Sequence, residues 1–475
     1  MIKPDSKENM TYVIFLSAVA SLGGFLFGYD TAVISGTITS VAAQFSMDDV
    51  SIGWYVGCAL AGSIFGVAIA GRLSDFFGRK AVLLFSAILF SVSGIGCMVS
   101  TGLTELIIYR IIGGIGIGVA SVTSPLYISE ISVARYRGTL VSLYQLAITI
   151  GFMGAYLANY AILENAGNMM REGLTGGLAG KVFLTESWRA MLGAESLPAL
   201  LFFVILFFIP ESPRWLVTKT KVFSALKIME RIYGGEKANE QVADLKNVIS
   251  SEHKSDWRIL LQPGFRTALF IGVSLAILGQ FMGVNAVLYY GPSIFQETGL
   301  SEGDSLFYQV IVGLVNVVST LFAMWLIDKI GRKKLVYYGV SGMIISLALI
   351  GIYFTVNKSA AVIPPVTLLF LVLIYIFCCA ISICAVIWVL LSEMYPVKVR
   401  GLAMSAAGFS LWIGTFLIGQ LTPWLMSTLS PAGVFWLFGL MCVPYMYITW
   451  KYVPETTGKS LEDIERMWQQ KSSAN

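Results

Sequence analysis

The chain has 475 residues, of which 56% are hydrophobic and only 13% are charged, and its mean hydropathy is +0.76. Soluble proteins carry about 25% charged residues, so this composition argues against a water-soluble globule. The net charge of +4 is too small to indicate nucleic-acid binding, and the single histidine, His253, leaves no material for a His-ligated zinc site, a catalytic triad or a histidine proton relay. The six cysteines lie in apolar stretches and are predicted to be reduced packing residues. We therefore expect a membrane protein that has no cofactor or metal site and is not an enzyme.

Long apolar stretches predict the helices that cross the membrane. A transmembrane helix needs about 20 apolar residues, whereas a β-barrel strand would need about ten residues of alternating polarity. The stretches in this sequence have the helical length and show no alternation. The predicted fold class is therefore an all-α membrane protein with twelve transmembrane helices. The stretches lie at about 11–36, 52–71, 81–100, 104–127, 139–162, 190–209, 267–291, 307–327, 335–356, 364–391, 402–427 and 431–452.

The positions of lysine and arginine predict which ends of the helices face the cytoplasm, because basic residues concentrate in cytoplasmic loops. With the N-terminus placed inside, only four of the 32 basic residues fall in outer loops: Arg171, Lys181, Arg189 and Lys358. Both termini of this multi-pass membrane protein are therefore predicted to be cytoplasmic.

A long polar segment divides the predicted helices into two sets of six. This segment, 211–265, contains helix-like stretches but no run of membrane length. We interpret it as a small cytoplasmic helical bundle between an N-terminal half at 1–210 and a C-terminal half at 266–453. Residues 454–475 would form a cytoplasmic tail.

Three motifs of the first half recur in the second half. GRLSDFFGRK returns as IDKIGRKK, SEISVARYRG returns as SEMYPVKVRG, and PESPRW returns more loosely as PETTGK. These recurrences indicate that one six-helix unit occurs twice. Two parallel halves predict a binding site between them near the bilayer midplane.

The repeated motifs combine carboxylates and arginines at the predicted inner ends of the helices. Exposed ion pairs are worth about 0–1 kcal/mol, which suits latches that form and break as a transporter rocks. The alternative is charge that only sets topology and caps helices, and the duplicated spacing favours latches. The predicted latch residues are Asp75, Arg79, Glu130, Arg137, Glu211, Asp328, Arg332, Glu393 and Arg400.

Two ionisable residues stand out inside the predicted helices. Asp30 ends the run GGFLFGYD of the first helix, and Arg110 precedes the glycine-rich GGIGIG of the fourth. A charge at the centre of a membrane helix costs about 2.5–3.5 kcal/mol on insertion scales, so such residues are rare and usually functional. If the two face each other, protonation of Asp30 would release Arg110, which would make the pair a proton switch. The alternative is a static ion pair that holds two helices together.

Neutral polar and aromatic residues within the apolar helices suggest a sugar-binding lining. Amides donate and accept hydrogen bonds as sugar hydroxyls require, and aromatic faces stack on a pyranose ring. The alternative is that the amides join helices and that the tryptophans anchor the protein at the membrane interface. The predicted lining consists of Gln145, Gln280, Asn285, Asn316, Trp388 and Trp412, to which we add Phe27 and Phe281.

Along nearly its whole length the chain resembles the sugar porter family of the major facilitator superfamily. The motifs that carry the resemblance occur in the family's order: GRLSDFFGRK, PLYISEISVARYRG, PESPRW, GQFMGVNAVLYYGP, DKIGRKK, SEMYPVKVRG and VPETTGKSLEDIE. The resemblance implies alternating access in a fold of two six-helix halves. It also implies that Asp30 couples the proton with Arg110 as its partner, and that Tyr289 and Tyr290 form the outer gate.

The resemblance extends to the sugar-contacting positions but leaves the sugar open. It implies sugar contacts for Gln145, Gln280, Asn285 and Trp388. Gln280 is followed by Phe281, where the family often has a second glutamine, and Phe152 and Leu411 stand at other positions where an amide is expected. Each lost hydrogen bond is worth about 0.5–1.5 kcal/mol, so these apolar residues argue against xylose or glucose as the substrate. They favour the hypothesis of a sugar with fewer hydroxyls, a deoxysugar or a related polyol.

The sequence is therefore interpreted as a proton-coupled symporter of a bacterial inner membrane that imports a monosaccharide or related polyol and works as a monomer in the lipid bilayer. One alternative is an uncoupled facilitator, which Asp30 argues against. A second is a sugar sensor that does not transport, and a third is a membrane enzyme, for which no catalytic constellation is visible.

Overall fold

A computed structural model describes residues 8–171, 180–251, 258, 265–358, 362–395 and 400–453. Every regular element in these ranges is a helix. The cause is physical, since a backbone in lipid has no water to bind and an α-helix satisfies its own N–H and C=O groups.

The membrane spans agree with the apolar stretches. Among the described residues, eleven helices are long and apolar enough to cross a membrane. The last of them is two spans, because Ser430 has φ 63° and ψ 161° and is followed by a proline, which separates 401–429 from 431–451. The prediction of twelve transmembrane helices is confirmed. The first ten helices are spans 1 to 10 in chain order, and the last helix comprises spans 11 and 12. The helices are Met10–Gly36, Asp49–Phe77, Arg79–Val99, Leu103–Ile131, Ala134–Ala166, Ser187–Leu206, Arg266–Gln296, Glu302–Ile327, Arg332–Val356, Pro365–Leu391 and Gly401–Lys451.

Three short helices follow span 6. They are Pro213–Thr218, Val222–Tyr233 and Gly235–Ser251. The backbone N–H of Asn9 donates to the carbonyl oxygen of Ile232 at 2.8 Å, so span 1 begins beside these helices. Within each unit, we call the ends at which odd-numbered spans begin its linker face, and the opposite ends its far face.

The repeated motif reproduces a backbone turn as well as a sequence. Gly78, between spans 2 and 3, has φ +99° and ψ 162°, and Gly331, between spans 8 and 9, has φ +94° and ψ 153°. Residues with a Cβ rarely adopt this positive φ. The glycine of both GRK sequences is therefore required by the turn that starts the next helix.

The chain divides into two compact units. The described parts of 1–31, 61–155 and 192–254 form the first unit, which holds most of spans 1 to 6 and the linker helices. The described parts of 32–60, 156–191 and 255–475 form the second unit, which holds spans 7 to 12 and the far ends of spans 1, 2, 5 and 6.

Glycines allow close helix contacts within the first unit. A Cβ added at Gly28 of span 1 would overlap the carbonyl oxygen of Ile148 in span 5, and one added at Gly62 of span 2 would overlap that of Ile111 in span 4. Association of helices in lipid depends on such close packing, because apolar burial alone gives no preference for protein over lipid.

Glycine also brings span 2 against span 11 at the far face of the second unit. A Cβ at Gly53 would overlap the carbonyl oxygen of Gln420, and the Gln420 side-chain amide donates to the carbonyl oxygen of Val50 at 3.1 Å. The rings of Trp54 and Phe416 meet edge to face, with centroids 6.5 Å apart. The far ends of spans 2 and 11 are thus in direct backbone contact.

The contact between spans 1 and 5 can be tested by adding one methyl group. Gly28→Ala should lower the free energy of unfolding by about 1–3 kcal/mol, because the new Cβ would overlap a backbone carbonyl that cannot rotate away. Unfolding in mixed detergent micelles measures this change. The control is Gly71→Ala, where an added Cβ has no atom within 4 Å and the cost should stay below about 0.5 kcal/mol. Equal losses in the two variants would contradict the packing described.

Candidate functional site

An ion pair lies buried in the first unit between spans 1 and 4. Asp30 and Arg110 are 0% and 1% exposed. Arg110 Nη1 donates to Asp30 Oδ1 and, at 3.2 Å, to the backbone carbonyl oxygen of Asp30. The structure thus brings together the two residues that the sequence singled out.

A second carboxyl group, which our sequence reasoning missed, shares this environment. Glu195 of span 6 is 1% exposed and lies within electrostatic reach of both Asp30 and Arg110. Among the described residues, neither Asp30 Oδ2 nor Glu195 Oε1 has a hydrogen-bond partner. The sequence contains the information needed to find Glu195. It is an ionisable residue inside the predicted apolar stretch 190–209, as Asp30 is inside the stretch 11–36.

Small residues make room for the Asp30 carboxylate. A Cβ added at Gly113, in the run GGIGIG, would lie 2.6 Å from Asp30 Oδ2 and 2.5 Å from the Ser93 hydroxyl oxygen. The glycines after Arg110 therefore do more than pack helices, since a side chain at Gly113 would occupy the space of the Asp30 carboxylate.

Span 7 of the second unit is broken near its middle. Its first helix ends at Phe281 and its second begins at Val284, with Gly283 between them at φ +89°. The break leaves the Met282 carbonyl oxygen outside a regular helix, and the Tyr375 hydroxyl of span 10 donates to it at 2.8 Å. Discontinuous helices are the usual place where transporters bind substrates, because their backbone groups are not all used within the helix.

Three polar side chains meet at this break. Gln280 Oε1 accepts a hydrogen bond from Asn285 Nδ2 at 2.7 Å and another from the Thr415 hydroxyl of span 11 at 3.0 Å. The sequence analysis placed both amides in the predicted sugar-binding lining but not Thr415. Threonine is common in apolar helices, so its presence does not indicate a binding site. The shared acceptor fixes the orientation of the Gln280 amide.

The other predicted sugar contacts are distributed over both units. Gln145 and Phe27 are half-buried in the first unit. In the second unit Phe281 is half-buried, and Asn316 and Trp412 are buried. Trp388 is 39% exposed, and its ring lies 3.5 Å from where a Cβ of Gly408 would be.

The predicted gate tyrosines lie in the second helix of span 7 and are both buried. The Tyr290 hydroxyl donates to the carbonyl oxygen of Gly419 in span 11 at 2.5 Å. Pro292 has no N–H group, so the carbonyl oxygen of Leu288, four residues earlier, loses its helical partner. Two side chains replace it: the Tyr156 hydroxyl donates at 2.8 Å and Gln309 Nε2 at 3.2 Å. A carbonyl released by a proline therefore joins spans 5, 7 and 8, which the sequence did not reveal.

Four of the five first-half latch residues, all except Arg137, form one cluster at the linker face. Arg79 donates to both oxygens of Glu130 at 2.9 Å and lies 3.4 Å from Asp75. Glu211 accepts the backbone N–H groups of Arg79 and Lys80 at 2.8 and 3.1 Å, and burial raises its pKa above the usual range. The Arg79 and Glu130 side chains are only 9% and 3% exposed, so the 0–1 kcal/mol of exposed pairs does not apply to them. Loss of one partner of a buried pair costs about 3–5 kcal/mol.

Of the remaining latch residues, two form a second ion pair, one is exposed and two have side chains outside the described residues. Arg332 Nη2 donates to Glu393 at 3.0 Å, in the position that Arg79 and Glu130 occupy in the first half. Arg137 is exposed at the start of span 5. The side chains of Asp328 and Arg400, and the predicted tail at 454–475, lie outside the described residues.

The fold and site define a helical membrane transporter. The structure aligns with the Escherichia coli xylose transporter XylE in an inward-open conformation, with a TM-score of 0.81 and 36% identity over 96% of this chain and 100% of that one. XylE is a major facilitator superfamily protein, so the predicted fold of twelve transmembrane helices in two six-helix halves is confirmed.

The chain belongs to the Sugar (and other) transporter family, which it matches over residues 16–468. It is 37% identical to the arabinose-proton symporter of Bacillus subtilis strain 168 over 97% of this chain and 96% of that protein. It is 36% identical to the D-xylose-proton symporter of Escherichia coli strain K12 over 98% and 97% of the two chains. The resemblance drawn from the motifs is confirmed, as is the prediction that the protein is a multi-pass membrane transporter and not an enzyme.

The bond from Tyr156 to the released carbonyl can be tested by removing one oxygen atom. Tyr156→Phe should lower the free energy of unfolding by about 0.5–1.5 kcal/mol, the net worth of one hydrogen bond. Unfolding in mixed micelles measures the change.

The control for this variant is Tyr144→Phe in the same span. Within the described residues the buried Tyr144 hydroxyl has no hydrogen-bond partner, so its removal should be neutral or slightly stabilising. If Tyr156→Phe were no more harmful than Tyr144→Phe, the proposed capture of the Leu288 carbonyl oxygen would be wrong.

Proposed function

We propose that this protein is a proton-coupled symporter that imports a monosaccharide or related polyol by alternating access. The observation that carries the proposal is the buried set of Asp30, Arg110 and Glu195, which contains two carboxyl groups and one guanidinium. A buried net charge is strongly unfavourable. This set has no net charge only when one of the two acids is protonated. Burial therefore favours the binding of one proton by the set.

The coupling step follows from this charge balance. While Asp30 is ionised it holds Arg110 through the ion pair. A proton that binds Asp30 cancels its charge, and the guanidinium is then held by Glu195, the remaining carboxylate within electrostatic reach. Movement of Arg110 between two acids on spans 1 and 6 would change the packing of span 4 against them. We propose that this change allows the rocking step.

The sugar contacts are proposed for the polar residues at the break in span 7 and for their aromatic neighbours. Gln280 and Asn285 already share a hydrogen bond, so a sugar meets amides of fixed orientation. Gln145, Asn316, Trp388, Trp412, Phe27 and Phe281 would add contacts. The names of the relatives, arabinose-proton and D-xylose-proton symporter, support an aldopentose among the candidate sugars.

The orientation and the cycle are proposed on the same grounds. The linker face, with both termini, would lie in the cytoplasm of a bacterial inner membrane, because most basic residues belong to that side. The ion-pair clusters at this face would hold their helix ends together in one state and separate in the other. The protein would act as a monomer. One proton that moves through about 100 mV supplies roughly 2.3 kcal/mol, or roughly a 40- to 50-fold accumulation of sugar.

If Asp30 binds the coupling proton, its substitution should affect sugar accumulation and sugar counterflow differently. Asp30→Asn should abolish accumulation of sugar against its gradient, because an amide cannot take up the coupling proton. Sugar counterflow should persist, since it needs no net proton movement. Proteoliposomes with an imposed pH gradient and membrane potential measure both quantities. Accumulation at the wild-type level by this variant would favour the uncoupled facilitator instead.

Glu195 should be the second acid of the coupling set. Glu195→Gln removes one negative charge, so the set is neutral with Asp30 ionised and gains nothing from a proton. We expect accumulation to fall at least tenfold and sugar binding to lose most of its pH dependence, measured by calorimetry between pH 5 and 8. The exposed Glu105→Gln, at the start of span 4, is the control and should behave as wild type. A wild-type pH profile for Glu195→Gln would remove Glu195 from the mechanism.

A further inference from the structure

Two thiols lie in contact on opposite sides of an irregular turn in span 10. The Sγ atoms of Cys379 and Cys384 are 3.6 Å apart. Both residues are reduced cysteines; Cys379 is buried and Cys384 is half-buried. The sequence predicted packing residues here, and nothing in the proposed transport mechanism uses a thiol at either position.

The contact exists because the helix changes its winding between these two residues. In an α-helix, residues five apart lie about 140° apart around the axis, so their side chains diverge. Residues Ala380–Cys384 form a π-helical turn, in which hydrogen bonds join residues five apart and bring them one above the other. The pair of thiols therefore reports the presence of the π turn.

Packing places this turn next to parts of the site already described. A Cβ added at Gly342 of span 9 would lie 2.5 Å from the Cys378 sulfur, and the Ser382 hydroxyl donates to the Cys378 carbonyl oxygen at 2.6 Å. Tyr375, one turn earlier, binds the break of span 7, and Trp388 follows one turn later. A reagent that fixed the turn would fix span 10 between these two residues.

We propose that Cys379 and Cys384 form a dithiol site for trivalent arsenic compounds, and that bridging of the two sulfurs clamps the π turn and arrests transport. The arsenic(III) centre of phenylarsine oxide forms one bond to each sulfur, while the two thiol protons leave with its oxygen as one water molecule. No atom is oxidised or reduced. Soft thiol ligands suit such a centre, and the bond angles at arsenic(III) require two sulfurs that are already near van der Waals contact.

The binding experiment uses the full-length protein, reduced with a phosphine and treated with phenylarsine oxide. Intact mass should rise by one phenylarsenic group, and thiol titration after denaturation should fall by two of the six cysteines. An excess of monothiol should leave the adduct in place, whereas 2,3-dimercaptopropanol should remove it. Cys379→Ser and Cys384→Ser should each lose the monothiol-resistant adduct.

Matched controls separate the pair from the other cysteines. Cys378→Ser alters the neighbouring residue, whose sulfur packs toward Gly342, and Cys97→Ser alters a buried thiol of span 3. Both should form the adduct as wild type does. If a serine variant fails to fold, Cys379→Ala and Cys384→Ala replace it. A resistant adduct that persists without Cys379 or Cys384, or a wild type that modifies only single thiols, would overturn the site.

The transport experiment tests the clamp, which rests on the proposed function. Sugar counterflow in proteoliposomes should fall at least tenfold when wild type is treated and should be unaffected in Cys379→Ser and Cys384→Ser. Full counterflow by protein that carries the bridging adduct would overturn the clamp but not the site. Absence of counterflow in untreated protein would count against the proposed function alone, because the mass and thiol measurements do not depend on transport.

Discussion

The first unit is organised around the cost of burying charge. Asp30, Arg110 and Glu195 lie where water does not reach, and each isolated ion would cost several kcal/mol there. The pair of Asp30 and Arg110 compensates part of this cost, and the room for the pair comes from glycine at position 113. The close contacts of spans 1, 2, 4 and 5 through other glycines hold these helices near enough for the acids to act on the same guanidinium. The electrostatic interactions in this unit therefore depend on its close helix packing, since looser helices would separate the charges.

The second unit solves a different problem, which is how to interrupt helices inside a membrane without leaving backbone groups unpaired. Span 7 is interrupted at Gly283 and again loses a hydrogen bond at Pro292. In both places a tyrosine from another span supplies the missing donor, Tyr375 to the Met282 carbonyl oxygen and Tyr156 to that of Leu288. These replacements satisfy the backbone and at the same time link span 7 to spans 5 and 10. A hydrogen bond to a side chain can break with less disturbance than one inside a helix, which suits a segment that has to move.

Hydropathy predicted the twelve spans because the need for apolar length in lipid acts on each segment independently of the rest. It predicted Asp30 and Arg110 for the same reason, and Glu195 lay within reach of that argument. The duplicated motifs singled out Arg79, Glu130, Arg332 and Glu393 as latch candidates, but not which carboxylate each arginine would pair with, and the turn at Gly78 and Gly331 repeats with them. Thr415, Tyr156 and Gln309 could not be predicted. Their roles depend on which carbonyl or amide oxygen another helix presents, and that is decided by tertiary packing.

The irregular turn of span 10 also determines the direction of everything that follows it. A π turn has the effect of one extra residue inserted into an α-helix. Each residue of an α-helix turns the chain by about 100°. Without the extra residue, Trp388 and the rest of the span as far as Glu393 would be presented about a quarter-turn away from their present neighbours. The rotation that the π turn adds to the helix therefore determines which neighbours the Trp388 indole and the Glu393 carboxylate face. That rotation does not depend on the identity of any one side chain.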